Sequence, residues 1–117
     1  MKLEVGQFAR LKSGYICKII NINDFREPNM KYGVEANYLK DVMFIGDNDI
    51  AKASYNIIDL IEKNDYINGS WVNKIVDGKP IHEDYNDLFY SFGWENDDIK
   101  TVITHEQMEQ MSYKVSD

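Results

Sequence analysis

The stretch EVGQFARLKSGYICKII, residues 4–20, has the pattern of a β-hairpin and indicates the fold class. Phe8 and Leu11 bracket a short first strand, and Ser13 with Gly14 supplies the turn signal. Residues 15–20 follow as a second strand whose two faces are both largely apolar. We therefore expect this strand to be covered on both faces or to bend between two sheets.

A weaker copy of this pattern, EKNDYINGSWVNKIV, occupies residues 62–76. In each copy an acid and a tight turn precede an aromatic residue that starts a strand, Phe8 in the first copy and Tyr66 in the second. Aligning the second strands matches Tyr15 with Trp71 and makes the second loop two residues shorter. The pattern predicts an internal repeat, with a chance similarity as the alternative.

Turn signals at short intervals divide the rest of the chain into short elements. Further strands are expected at residues 34–39, 42–45, 88–92, 99–103 and 113–115. Ser54 is a candidate N-cap for a short helix across residues 53–61. Thr104 and Gln107 form a capping-box pattern that opens a second helix over residues 105–111.

These elements predict a mainly β protein with minor α content. We expect two SH3-like or rolled-sheet strand–turn–strand units, a short linking helix and a short C-terminal helix. The 117 residues fit one compact domain. If the repeat is real, the domain contains two lobes, residues 1–52 and 62–117, which the helix at 53–61 joins.

The charge of the chain disfavours nucleic acid as a partner. It carries 20 acids against 13 bases, a net charge of −7. Residues 1–20 hold four bases and one acid, whereas residues 80–99 hold six acids and neither Lys nor Arg. Phosphate contacts need Lys and Arg, so we do not expect direct nucleic-acid binding, and a basic protein surface is the better partner.

The sequence also predicts the compartment. Cys17 is the only cysteine, which fits a reducing compartment, and its place in an apolar strand predicts a structural core residue. No secretion signal is recognised at the start, and no apolar run approaches the ~20 residues that span a bilayer. We expect a cytoplasmic protein of a bacterial host cell that has no membrane partner.

Candidate catalytic chemistry is weak. His82 lies beside Glu83, Asp84 and Asp87, but a zinc or iron site normally has two or three His or Cys ligands. Adjacent carboxylates such as Asp97 and Asp98 point to opposite faces of a strand, and no phosphate loop or nucleophile motif is present. We expect no enzyme activity, no cofactor and no metal site.

The acidic stretch at residues 80–99 alternates with aromatic residues. One interpretation is a strand pair whose aromatic residues form core and whose acids face solvent. The other is a protein interface in which aromatic anchors and acids meet a basic partner. The candidate partner-binding residues are Glu83, Asp84, Tyr85, Asp87, Tyr90, Trp94, Glu95, Asp97 and Asp98.

Three groups of residues resemble a family of small proteins found in prophages and mobile elements of Firmicute bacteria. They are residues 4–8 with 14–20, residues 54–62 with 65–69, and residues 99–107 with 113–115. The chain departs from the family pattern at Lys63-Asn64, where Val-Gly is usual, and the family is variable over 77–97. The resemblance transfers no catalytic residue. It implies a phage-borne protein of the kind that counters host defence, anti-CRISPR proteins among them.

Three functional hypotheses follow. The leading one is a non-enzymatic, phage-derived acidic protein that binds and inhibits a host defence complex, such as a CRISPR-Cas effector, through a basic surface of that complex. The alternative is a small SH3-like adaptor or nucleic-acid-associated prophage module that uses Arg10, Lys12 and Lys18. The third is a hydrolase or metal enzyme around His82. The sequence makes no prediction of oligomeric state.

Overall fold

The computed structural model describes residues 3–84, 91–113 and 115. Within them the protein is mainly β, as the sequence predicts. It has three antiparallel sheets and one α-helix. The chain divides into two compact units, residues 1–60 and 61–117. No helix in the described part of the chain is both long and apolar enough to cross a membrane.

The first unit is built on one five-stranded antiparallel sheet. Its strands are β1 (Phe8–Leu11), β2 (Ile16–Ile22), β3 (Tyr32–Glu35), β4 (Met43–Ile45) and β5 (Ile50–Ser54). They lie in the order β4-β3-β2-β1-β5, so the last strand returns to pair with the first. Short 3-10 helices occupy Pro28–Met30, Asp47–Asp49 and Ile57–Leu60. The predicted hairpin at residues 5–20 is confirmed as β1 and β2.

The core of the first unit contains side chains from all five strands. Its buried members are Leu3, Ala9, Leu11, Cys17, Ile19, Tyr32, Val34, Ile45 and Ile50. Cys17 is 2% exposed, as expected for a core residue. Burial raises the pKa of its thiol to about 11, so little reactive thiolate forms at neutral pH.

Arg10 is an unusual member of this interior. Its side chain is 1% exposed although the residue lies in the basic first hairpin. The guanidinium Nη1 donates a hydrogen bond to the carbonyl oxygen of Leu60 at 2.9 Å. Because a buried guanidinium must be hydrogen-bonded, this contact fastens β1 to the end of the 3-10 helix Ile57–Leu60.

The helix expected at residues 53–61 is wrong over much of its length. Ala53 and Ser54 end β5, where they pair with Ala9 and Phe8 of β1. The apolar spacing that suggested a helix forms only the 3-10 helix Ile57–Leu60. Ala53 and Ser54 pair with a strand more than 40 residues earlier in the chain, and this pairing outweighs the local helical spacing. The sequence alone does not reveal such a distant pairing.

The second unit contains two three-stranded sheets and one helix. Its strands are β6 (Tyr66–Ile67), β7 (Ser70–Trp71), β8 (Lys74–Val76), β9 (Lys79–Glu83), β10 (Ser91–Gly93) and β11 (Val102–Ile103). They form the sheets β11-β6-β7 and β10-β9-β8. A 3-10 helix spans Asn96–Asp98 and α1 spans His105–Met111. The core consists of Ile61, Ile67, Val72 and Trp94, with Phe92, Ile99 and Val102 packed against it.

Tight turns and a cap define this unit locally. Asn68 and Gly69 have φ of 52° and 83°, and Asp77 and Gly78 have φ of 50° and 78°. Positive φ at both central residues is the mark of a two-residue hairpin turn, which these sequences favour. The predicted helix at 105–111 is confirmed. The hydroxyl of its N-cap, Thr104, accepts a hydrogen bond from the backbone N–H of Gln107, the third residue of the helix.

Equivalent backbone bonds relate the two units. In the first unit, the Ile19 carbonyl accepts from the N–H of residue 6 at 2.8 Å, and the Ile19 N–H donates to the carbonyl of residue 7 at 2.9 Å. In the second unit, the Val72 carbonyl accepts from the N–H of residue 64 at 2.7 Å, and the Val72 N–H donates to the carbonyl of residue 65 at 2.8 Å. Val72 is thus the counterpart of Ile19 and not of Ile16, which the sequence alignment matched to it. Strands β7 and β8 together take the place that the single strand β2 has in the first unit. Strands β9, β10 and β11 take the places of β3, β4 and β5 in that order.

Candidate functional site

Three exposed acids of the second unit lie on the turn after β10. We name residues 95–98 the acidic turn. Glu95, Asp97 and Asp98 are all exposed, and the Glu95 side chain keeps 72% of its surface accessible. The turn presents three carboxylates within four residues, which concentrates negative charge at one place on the unit.

Two hydrogen bonds close the acidic turn. The backbone N–H of Glu95 donates to Asp98 Oδ2 at 3.0 Å, and the backbone N–H of Asp98 donates to the Glu95 carbonyl at 3.0 Å. The first unit has the same arrangement between Gly46 and Asp49, at 3.0 and 3.1 Å. Asp98 therefore shapes the turn, and its carboxylate is partly engaged within it.

Trp94 connects the acidic turn to the core of the second unit. It is 6% exposed and belongs to the core with Ile67 and Val72. The ring of Phe92 meets it edge-on, with centroids 4.8 Å apart. Trp94 was predicted to contact a partner, but its burial makes it a core residue that positions Glu95.

Strand β9 places two further acids. Glu83 and Asp84 are half-buried at the end of this strand, and Ser91 of β10 lies opposite Glu83. The backbone N–H of Glu83 donates to Asn73 Oδ1 at 2.8 Å, and Asn73 Nδ2 donates to the Glu83 carbonyl at 2.6 Å. This paired contact with a buried amide fixes the strand end that carries both acids.

Two ion pairs accompany these acids. Lys79 Nζ lies 2.6 Å from Glu95 Oε1, and Lys74 Nζ lies 3.4 Å from Glu83 Oε2. All four side chains keep between 41% and 72% of their surface accessible. Exposed pairs contribute little to stability, so a partner's Lys or Arg can replace these lysines at small cost.

The remaining predicted site residues, Tyr85, Asp87 and Tyr90, lie outside the described residues.

His82 contacts residues of both sheets of its unit. Its Nδ1 lies 2.8 Å from the carbonyl oxygen of Trp71, so that nitrogen carries a proton and donates. The ring packs against Phe92, with centroids 5.3 Å apart. This environment accounts for the histidine as a packing residue and gives the metal-enzyme hypothesis at this position no support.

A different cluster, which the sequence analysis missed, lies at the start of α1. His105 Nε2 lies 3.2 Å from Glu62 Oε1 and 2.8 Å from Glu106 Oε1. The sequence separates Glu62 from His105 by 43 residues, and the pairing of β6 with β11 brings these two parts of the chain together. The adjacent pair His105-Glu106 was the only local signal.

The bases proposed for phosphate binding are not equally accessible. Lys12 and Lys18 are exposed, and Lys18 Nζ lies 5.8 Å from the centroid of the Phe8 ring. Arg10 is buried and bonded to Leu60, as described above. The nucleic-acid hypothesis therefore loses one of its three bases.

Comparison with protein-family models, curated proteins and solved structures finds no match to this chain.

Proposed function

We propose that this chain is a non-enzymatic binding protein whose acidic second unit contacts a basic surface on a host protein complex. The observation that carries the proposal is the distribution of charge between the units. Residues 61–117 hold 12 acids and 5 bases, whereas residues 1–60 hold 8 of each. The entire net charge of −7 therefore belongs to the second unit.

The acidic turn supports this assignment in detail. It is the counterpart of residues 46–49 in the first unit, and both turns are closed by the same carboxylate-to-backbone bond. In the first unit the carboxylate of Asp47 accepts a hydrogen bond from the hydroxyl of Tyr32 at 2.6 Å. In the second unit Glu95 instead pairs with Lys79, an exposed lysine that a partner's base can displace.

A basic groove that normally holds nucleic acid is the surface that such an acidic protein fits best. Lys and Arg in such a groove attract carboxylates as they attract phosphates. Together with the resemblance to small prophage proteins, this supports an inhibitor of a nucleic-acid-dependent defence complex, of the anti-CRISPR kind. The site consists of Glu83, Asp84, Glu95, Asp97 and Asp98, whereas Trp94 supports it from the core.

The strand order of the first unit favours the SH3-like alternative for the scaffold. The order β4-β3-β2-β1-β5, with a 3-10 turn between β4 and β5, is the order found in SH3-like barrels. Tyr15 and Tyr38 lie beside each other with ring centroids 5.1 Å apart, and Tyr38 is 42% exposed. An adaptor function would use such aromatic surface to bind an extended peptide.

Affinity capture tests the proposal. The wild-type chain is used to capture proteins from a Firmicute lysate, alongside the double variant Glu95→Lys, Asp97→Lys and the control Glu27→Lys, Asp41→Lys. Both pairs are exposed, and both double variants change the net charge by the same amount. We expect one basic partner with the wild type and the control, and its loss with the first variant. Equal capture by all three chains would contradict the proposal.

A further inference from the structure

Three side chains from two parts of the second unit converge at the start of α1. His105 Nε2 lies 3.2 Å from Glu62 Oε1 and 2.8 Å from Glu106 Oε1, and the three ligand atoms all lie within 4.8 Å of one another. The two separations from His105 Nε2 are of the size expected between neighbouring ligands around a divalent ion with bonds of ~2.0–2.2 Å.

A buried carboxylate holds two of these residues in place. Asp65 is fully buried, and its Oδ2 accepts from the backbone N–H of Glu62 at 2.7 Å. Its Oδ1 accepts from the backbone N–H of His105 at 2.9 Å. One rigid side chain thus fixes the positions from which the glutamate and the histidine project, although they lie far apart in the sequence.

The number of protons available on Nε2 of His105 favours a bound cation. Nε2 of an imidazole carries at most one hydrogen, yet the carboxylates of Glu62 and Glu106 both approach it within hydrogen-bonding distance. One proton cannot serve both oxygens fully, and the carboxylates repel each other. A divalent ion accepts all three lone pairs at once and neutralises both acids.

We propose that Glu62, His105 and Glu106 bind a divalent transition-metal ion of the Zn²⁺ class. One imidazole nitrogen and two carboxylate oxygens are ligands that Zn²⁺ accepts, whereas Ca²⁺ and Mg²⁺ prefer oxygen ligands alone. The three side chains keep 39%, 38% and 27% of their surface accessible, in the order His105, Glu62 and Glu106. Water can therefore complete the coordination shell. This site is independent of the proposed partner-binding surface.

Calorimetric titration of the full chain with ZnCl₂ tests the proposal. We expect one ion per chain for the wild type and a loss of affinity of about tenfold or more for Glu62→Gln and for His105→Asn. The matched controls are Glu109→Gln, which removes an exposed acid of the same helix, and His82→Asn, which removes the other histidine. Both controls should bind as the wild type does.

A second measurement needs no variant. Co²⁺ added to the wild type should broaden the NMR signals of the His105 ring and leave those of the His82 ring sharp. The proposal is wrong if Zn²⁺ does not bind, if Glu109→Gln weakens binding as much as Glu62→Gln does, or if Co²⁺ broadens both rings equally. Circular dichroism of each variant separates loss of the site from loss of the fold.

Discussion

The Asp98 carboxylate accepts a hydrogen bond from the backbone N–H of Glu95 at 3.0 Å. Asp49 makes the equivalent bond to Gly46 in the first unit, also at 3.0 Å. The two units therefore close this turn with the same hydrogen bond, and they differ in the residue that donates it. A glycine occupies the first position in one unit, and an exposed glutamate occupies it in the other.

The bond between Asp98 and Glu95 should stabilise the second unit. Replacing Asp98 with Ala leaves the Glu95 N–H without this acceptor and should reduce the free energy of unfolding by about 1–2 kcal/mol. Asp97→Ala removes a neighbouring exposed acid and should change it by less than about 0.5 kcal/mol. Urea denaturation measures both, and equal losses would show that the bond does not shape the turn.

Asp65 should be among the most sensitive positions in the second unit. It is fully buried and accepts from the backbone N–H groups of Glu62 and His105. Asp65→Ala leaves both donors unpaired and should cost about 3–5 kcal/mol of unfolding free energy. Hydrogen exchange at the His105 amide should rise as well, and an unchanged exchange rate there would contradict this role.

Arg10 should stabilise the fold of the first unit and should not serve phosphate binding. Arg10→Met keeps the length of the side chain but removes the donor to the Leu60 carbonyl. We expect a loss of about 2–4 kcal/mol by thermal or urea unfolding. Lys12→Met, on the exposed part of the same hairpin, should change stability little. A larger effect for Lys12 than for Arg10 would overturn the assignment.

Cys17 should make stability depend on pH in the alkaline range. Burial raises the pKa of its thiol from 9.0 to about 11, so the folded chain retains the proton over a range in which the unfolded chain loses it. Its contribution is therefore complete below pH 9 and decreases as the pH rises towards 11, by up to about 3 kcal/mol. The difference between wild type and Cys17→Ala, measured by urea unfolding from pH 8 to pH 11, isolates this effect. If the unfolding free energies of the two chains changed in parallel with pH, this effect would be contradicted.

Local signals predicted the hairpin at residues 5–20 and the capped helix at 105–111 because each depends on neighbouring residues. Strand β5 was missed because its partner is β1, about 40 residues earlier. The sequence left Trp94 either in the core or at an interface, and its burial places it in the core. The cluster around His105 requires the contact of β6 with β11, which no local pattern indicates.

Electrostatic binding through the acidic turn has its own signature. The association rate of the chain with its captured partner should fall as salt rises, because opposite charges steer the encounter. Glu95→Lys should slow association by about tenfold or more at low salt, whereas Asp41→Lys should leave it near the wild-type value. Surface plasmon resonance across a range of NaCl concentrations measures both. A rate independent of salt would exclude steering by these acids.

The most direct test of the central claim is a cleavage assay with a purified RNA-guided Firmicute effector. We predict that the wild-type chain and the Glu27→Lys, Asp41→Lys control inhibit target cleavage, and that the Glu95→Lys, Asp97→Lys variant does not. Full cleavage in the presence of the wild-type chain, together with no detectable binding to the effector, would contradict the account.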